Sequence, residues 1–266
     1  MKHMIRDWFV WFCYRVGVVK LWQRQSTQPL VRVLAFHDVA DGVWFASLID
    51  TLRKRYHILS PADFESRTYK PEKINLLLTF DDGYDSWVTN VVPVMQKYNL
   101  SGIFFVSTGI IESANDVEKS ARFMREQLLI APKKPLTREG LQTLHQSGQM
   151  IGGHTHSHVS LRGDHLPQAK AEILDNKQLL ENQLDIEVKH FAYPFGTRVD
   201  FSTETTSLLR QLGFTYVYTA VTGFVGSDQS EIPRTLVEKN QSIESVCRWI
   251  AGGYDIFARI IAWLKK

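Results

Sequence analysis

The chain has 266 residues, 44% of them hydrophobic and 12% aromatic, with 31 Lys and Arg against 28 Asp and Glu. That composition supports a sizeable core and excludes a disordered chain, and two cysteines, Cys13 and Cys247, exclude a disulfide framework or a Cys-rich zinc module. The net charge of +3 is too small to point to nucleic acid, and it is unevenly spread: residues 1–34 hold six basic side chains against the single acid Asp7, leaving the rest slightly acidic.

The first predicted element is a basic, aromatic segment over 1–30. Trp8, Phe9, Trp11, Phe12, Tyr14, Leu21 and Trp22 lie among Arg6, Arg15, Lys20 and Arg24. Arg15 interrupts the apolar run and no small-residue cleavage site follows it, so it does not read as a cleavable signal peptide. Nor does it contain the roughly 18–20 uncharged residues needed to span a bilayer. The pattern fits an amphipathic helix lying in a membrane interface or one packed on the outside of a domain. The expected location is therefore cytoplasmic or peripheral to the inner membrane, with peripheral membrane contact.

From residue 31, short β-rich runs alternate with helical patterns. Strands are expected at 31–37, 74–80, 102–106, 149–154, 189–193, 214–219 and 232–237. Helices are expected near 44–56, 86–98, 137–147, 165–184 and 203–212, with Pro93 interrupting or offsetting the second. The stretch 109–136 reads as an insertion or long loop. Such alternation predicts an α/β domain over 31–240 with parallel strands, either an open doubly wound sheet or a closed barrel. Residues 241–266 predict a C-terminal amphipathic helix broken at Gly252-Gly253, expected at a membrane interface, with core packing as the alternative.

In either α/β architecture chemistry collects at the carboxyl ends of strands. Those ends carry His37-Asp38, Thr79-Phe80-Asp81-Asp82-Gly83-Tyr84, His154-Thr155-His156-Ser157-His158 and Tyr193-Pro194-Phe195-Gly196. Two adjacent carboxylates repel one another; one can hold a cation while the other stays free as a base. Their side chains leave a strand on opposite faces, so the Gly83 turn must re-aim one of them. His154 and His158 share a face of a helical loop, whereas His154 and His156 would share a face of an extended strand. Two histidines and a carboxylate suit a catalytic divalent-metal site. The zincin pattern is excluded, because Thr155 stands where its Glu belongs.

Together these segments resemble the polysaccharide deacetylase family, also called the NodB-homology or carbohydrate esterase family 4 domain. TFDDGY at 79–84, HTHSH at 154–158 and YPFG at 193–196 are similar to its first three motifs, in the same order. The resemblance implies a distorted (β/α)7-type barrel and metal-dependent removal of an acetyl group, chiefly N-acetyl, from a sugar. It implies Asp82, His154 and His158 as ligands of a divalent metal, zinc first and cobalt or manganese next. Asp81 is implied as general base, and the turn Tyr193, Pro194, Phe195 and Gly196 as a substrate-binding segment with the Phe195 backbone N–H on the oxyanion.

The chain also departs from that pattern. The position two residues before Pro194, where the family carries an Arg that orients the base, is Ala192; Arg234 is expected to take its place, grouped with the substrate-binding residues. No histidine follows His190, so the Leu-x-His that supplies the general acid in many members is absent. Phe36-His37 fits a branch acting on exopolysaccharides, and His37 is expected as a catalytic residue in substrate contact or proton transfer. The expected partner is an N-acetylated glycan or a lipid-linked sugar, with no nucleic acid. Two other readings fit the same residues: a glycan-binding protein that has lost catalysis, and a metal-dependent hydrolase of another amide or ester.

Overall fold

The structure, a computed structural model, describes residues 11, 12, 14, 15, 17, 19, 21, 23, 26–162, 166–239 and 241–256. Strand β1 (Val31–Phe36) leads into helix α1 (Gly42–Arg55), capped by Asp41, whose carboxylate accepts from the backbone N–H groups of Val43 and Trp44. Next come β2 (His57–Ile58), α2 (Pro61–Glu65) and β3 (Asn75–Asp82), then one π-helical turn (Trp87–Val91) that runs into α3 (Val92–Lys97). Strand β4 (Ile103–Val106) is followed by α4 (Thr108–Ser113), α5 (Val117–Glu126) and α6 (Arg138–Gln146). The remainder is β5 (Met150–Gly153), α7 (Leu166–Leu184), β6 (His190–Ala192), α8 (Thr203–Gln211), β7 (Tyr216–Tyr218), β8 (Arg234–Leu236) and α9 (Ile243–Ile250).

All strand pairs are parallel, in the order β7-β6-β5-β4-β3-β1-β8, with β2 added beside β3. The two ends of that path meet: Tyr218 bridges Ile232, Ile232 N–H bonds Val217 O at 2.8 Å, and Thr219 N–H bonds Ile232 O at 2.9 Å. The result is a barrel closed by a few hydrogen bonds, of the (β/α)7 kind that the family resemblance implies, and of the two architectures left open by the strand–helix alternation it is the closed one. Alternation of side chains along the strands builds two cores. Val31, Val33, Leu77, Ile103, Phe105, Ala192, Tyr218 and Ile232 fill the barrel, and Phe64 from α2 closes its floor. Leu34, Phe36, Leu76, Leu78, Phe80, Phe104 and Val106 point outward under the helices, where Phe80 stacks between Phe36 at 5.2 Å and Phe104 at 4.4 Å.

All seven expected strands are present. β3 runs two residues further than expected, so Asp81 and Asp82 pair with Phe105 and Val106 of β4. The stretch 109–136 is not simply a loop. It contains most of α4 and all of α5, the latter capped by Asp116 and burying only Ser120 and Met124, which is too little apolar surface to betray a helix in sequence. Pro93 does offset its helix: it sits in the first turn of α3, just after the wide π turn, where the N–H it lacks is least missed.

The C-terminal segment packs on the barrel as far as residue 256. α9 buries Val246, Cys247 and Ile250 in the outer core. Arg32, fully buried on β1, donates to Ile250 O at 3.0 Å, Thr235 Oγ1 at 2.9 Å and Asp255 Oδ2 at 2.7 Å, and lies over Phe224. In the N-terminal segment, Val19 is buried against Ala251 and Ile256, and Gln23 Nε2 donates to Ala251 O at 2.7 Å. Trp11, Phe12, Tyr14 and Leu21 remain exposed. No helix among the described residues is long and apolar enough to cross a membrane. The sequence pattern over 1–10 and 257–266 lies outside the described residues. Ending the chain at residue 240 would strip Arg32 of Ile250 and Asp255 and uncover the α9 contacts. The expected loss is at least about 3–5 kcal/mol, measured by urea unfolding; a 1–240 fragment as stable as the full chain would contradict this packing.

Candidate active site and metal centre

Thr79 and Asp81 continue the inward row of β3 above Leu77, so strand periodicity alone carries the Asp81 carboxylate to the top of the barrel. The same periodicity would send Asp82 outward. Instead Asp82 takes φ +86°, a left-handed conformation unusual for a non-glycine residue, followed by Gly83 at φ +131°. A Cβ on Gly83 would lie 2.7 Å from Ile110 Cγ2, so the turn also needs glycine for space. The re-aimed Asp82 and Asp81 both face one cavity of about 680 Å³ at the barrel mouth.

Asp82, His154 and His158 converge there, their donor atoms within 4.8 Å of one another. Asp82 Oδ1 lies 3.5 Å from His154 Nε2 and 3.3 Å from His158 Nε2. The alternative ligand, His156, faces away; its Nδ1 lies 3.0 Å from Thr108 Oγ1 and its Nε2 3.8 Å from Glu112. His154 Nδ1 is 2.7 Å from Ala192 O and His158 Nδ1 is 3.1 Å from Gln127 O. A carbonyl only accepts, so both Nδ1 atoms carry hydrogen, which orients the rings with Nε2 facing inward toward Asp82. Tyr84 OH donates to Asp82 Oδ2 at 2.7 Å, with burial and the neighbouring Asp82 pushing the phenol pKa upward and so keeping that donor protonated. Asp82 Oδ1 is buried with no hydrogen-bond partner. One carboxylate oxygen and two imidazole Nε2 atoms converging in this way fit a divalent cation.

Asp81 is neutralised differently. Arg234 Nη1 donates to its Oδ1 at 2.6 Å, and both side chains are nearly inaccessible, at 2% and 4% exposure. The guanidinium is aimed by Nε–H to Thr219 O at 3.0 Å and lies over the Phe105 ring. Burial pushes the Asp81 pKa up, but Arg234, with His154 and His37 nearby, outweighs it and holds the carboxyl below its usual range. Burial likewise opposes ionisation of Asp82, and His37, His154 and His158 hold it well below. Arg234 thus stands where the absent Arg at Ala192 would be needed, as an orienting partner of Asp81 buried away from solvent.

The other expected residues divide by position. His37 is exposed on the lip of the same cavity, after β1, while its carbonyl accepts from Trp87 Nε1 at 3.0 Å. Phe195 (φ +58°) is presented at the lip by a tight turn in which Gly196 N–H bonds Pro194 O at 2.6 Å; its ring lies 4.8 Å from that of His158. Gly196 is obligatory there, since a Cβ would come within 2.7 Å of Ala220 N. Tyr193 lines the cavity wall, but its ring stacks on Phe201 at 4.6 Å and its hydroxyl bonds Thr206 Oγ1 at 2.9 Å, so it supports the turn from within. The sequence reading missed Tyr84 as the partner of Asp82 and missed Glu172 and Asn176 beneath the histidine loop. The tyrosine was visible within TFDDGY; the other two are single polar residues on a long helix.

Because the Asp81–Arg234 pair is buried, removing one member strands the other. Arg234→Met is expected to cost about 3–5 kcal/mol by urea unfolding; a loss below about 1 kcal/mol would show that Asp81 does not depend on it.

The comparisons with known proteins agree with this geometry. Residues 68–217, more than half of the chain, match the family model described as polysaccharide deacetylase. YxkH of Bacillus subtilis (strain 168), named for the same family, is 27% identical over 219 residues, covering 78% of this chain and 71% of that protein. The poly-β-1,6-N-acetyl-D-glucosamine N-deacetylase of Escherichia coli (strain K12) is 21% identical over 68% of this chain, which spans only 30% of the length of that relative. In fold, the chain is similar to the Streptococcus pyogenes deacetylase PplD in complex with acetate (TM-score 0.69, 20% identity, 84% of this chain and 99% of that one). It is equally similar to IcaB from Ammonifex degensii (TM-score 0.69, 22% identity, 84% and 98%). The chain belongs to the polysaccharide deacetylase family.

Proposed function

We propose that this protein is a metal-dependent hydrolase that removes the N-acetyl group from an amino sugar of a bacterial surface polysaccharide or of its lipid-linked precursor. The observation that carries this reading is the convergence, at one barrel mouth, of a cation-shaped Asp82, His154, His158 set with a separate, Arg-held Asp81. The name of the Escherichia coli relative supports the N-acetyl amino-sugar substrate. Zinc is the favoured ion, because two imidazoles and one carboxylate with further positions open suit it; cobalt and manganese follow.

When bound, the ion supplies Lewis acidity that activates water and polarises an acyl carbonyl. Asp81, kept ionised and oriented by Arg234, accepts the proton of the attacking water. The Phe195 backbone N–H is assigned to the charge developing on the carbonyl oxygen, and the turn at 193–196 to holding the sugar. His37, exposed on the lip of the same cavity and outside the Asp82, His154, His158 set, is assigned delivery of a proton to the departing amine. The binding-only reading rests on the missing Arg and the missing Leu-x-His; the Arg234–Asp81 pair answers the first, and the assignment of His37 answers the second.

The test is acetate release from chitooligosaccharides, poly-N-acetylglucosamine and lipid-linked amino sugars. Chelation is expected to abolish release and added Zn²⁺, Co²⁺ or Mn²⁺ to restore it. Asp81→Asn is expected to lower turnover by at least about 100-fold with the fold intact by circular dichroism. Release that survives chelation, or Asp81→Asn with undiminished turnover, would overturn the mechanism.

Peripheral contact with an anionic membrane is the second part of the reading. It is supported by the exposed Trp11, Phe12, Tyr14 and Leu21, interleaved in sequence with Arg15, Lys20 and Arg24. In the full chain, Trp11→Ser, Phe12→Ser and Leu21→Ser together are expected to weaken binding to anionic vesicles at least about tenfold. Equal co-sedimentation of variant and wild type would refute that contact.

A further inference from the structure

The two metal-ligand histidines sit on an irregular loop, not on a strand or helix. Within it Thr155 and His158 both occupy the left-handed region, at φ +58° and +55°. Such a loop has no ladder of its own to hold it, so its shape must be imposed from outside. Part of that hold comes from the β4–α4 junction, where Ser107 Oγ donates to His154 O at 2.8 Å and Gly109 N–H to His156 O at 2.9 Å. The larger part comes from one face of helix α7.

Asn176 is fully buried on α7, on the same face as Ala169, Ile173 and Leu180. An amide among aliphatic neighbours is costly unless its hydrogen bonds are made. The bonds made by its side chain go to the end of β4, to Thr108 Oγ1 at the start of α4 (3.3 Å) and to the histidine loop. Its Oδ1 accepts from His154 N–H at 3.1 Å, and its Nδ2 donates to Thr155 O and to Val106 O, both at 2.8 Å. One turn earlier, Glu172 Oε2 accepts from Ser157 N–H at 2.7 Å, and Glu172 O accepts from His156 N–H at 3.1 Å. The residue before the loop is cut to fit: a Cβ on Gly153 would lie 2.8 Å from Asn176 Oδ1. Four successive residues, 154–157, are therefore gripped through their backbones by two side chains and a carbonyl of α7.

We infer that Asn176 and Glu172 are positioning residues for the metal ligands, fixing the backbone of 154–157 so that His154 and His158 aim Nε2 at Asp82 Oδ1, and thereby setting the affinity and geometry of cation binding. The inference rests on the proposed metal centre. Neither residue reaches the cavity, so the effect passes only through the loop. Losing Asn176 would leave His154 N–H, Thr155 O and Val106 O without their partner and free the two left-handed residues to relax.

The full chain, stripped of metal, is titrated with Co²⁺ against a chromophoric chelator, and the visible spectrum of the bound ion is recorded. Wild type is expected to bind one Co²⁺. Asn176→Leu, which keeps the side-chain volume and removes every bond, is expected to bind it about 10- to 100-fold more weakly with an altered spectrum. Glu172→Ala, at a half-buried position, is expected to weaken binding less, in the same direction. Wild-type affinity and spectrum in Asn176→Leu, even with a lower Tm, would overturn the assignment. Should Asn176→Leu fail to fold, Glu172→Ala decides: unchanged affinity refutes the clamp. Failure of wild type to bind Co²⁺ would instead refute the metal centre, and this assignment with it.

Discussion

Two adjacent carboxylates buried in one cavity are the constraint around which this structure is arranged. Like charges at neighbouring positions cannot both remain ionised without separate compensation. Asp81 receives a guanidinium at 2.6 Å, and Asp82 receives a tyrosine hydroxyl and two imidazoles. Putting both into one cavity requires the left-handed turn at Asp82, since an unbroken strand would have sent them to opposite sides. Supplying the guanidinium requires barrel closure, because Arg234 opens β8 and reaches Asp81 across the interior. A few hydrogen bonds between the β7 and β8 ends of the sheet are thus a condition of the chemistry as well as of the fold.

The division of labour between the carboxylates follows from their partners. Asp82 keeps one oxygen free of hydrogen bonds and faces Nε2 of two imidazoles whose Nδ1 hydrogens are committed to backbone carbonyls, an arrangement that suits a cation. Asp81 meets a cation the protein already carries, and in the proposed mechanism that pairing fixes it as the base. The terminal segments attach at the other end of the molecule. Arg32 lies at the start of β1, and Tyr56, whose hydroxyl bonds Cys247 O at 3.1 Å, follows the last turn of α1. Contact with a surface through Trp11, Phe12 and Leu21 would leave the mouth of the barrel free for a glycan.

Much of the fold and site was legible in sequence for identifiable reasons. Buried parallel strands read as continuous apolar runs such as 74–80, and the chemistry stood out because Asp81-Asp82, His154 and His158 fall just beyond such runs. Arg234 was legible as a consequence of what Ala192 lacks, and both it and His37 lie outside the matched stretch 68–217. The failures are as physical. β2 and α2 are too short for any period to show, and α5 buries too little to announce itself. Asn176 was invisible because a polar residue within a long helix reads as solvent-facing, and only the fold reveals a loop that needs it there.

In the proposed mechanism one carboxylate of the pair belongs to a cation and the other to Arg234. Anomalous X-ray diffraction from crystals of the full chain grown with Zn²⁺ or Co²⁺ tests it most directly. A single strong peak is expected at the mouth of the barrel, ligated by Asp82, His154 and His158, with Asp81 still paired to Arg234. A peak ligated by Asp81, or none at those three residues with the ion in excess, would contradict it.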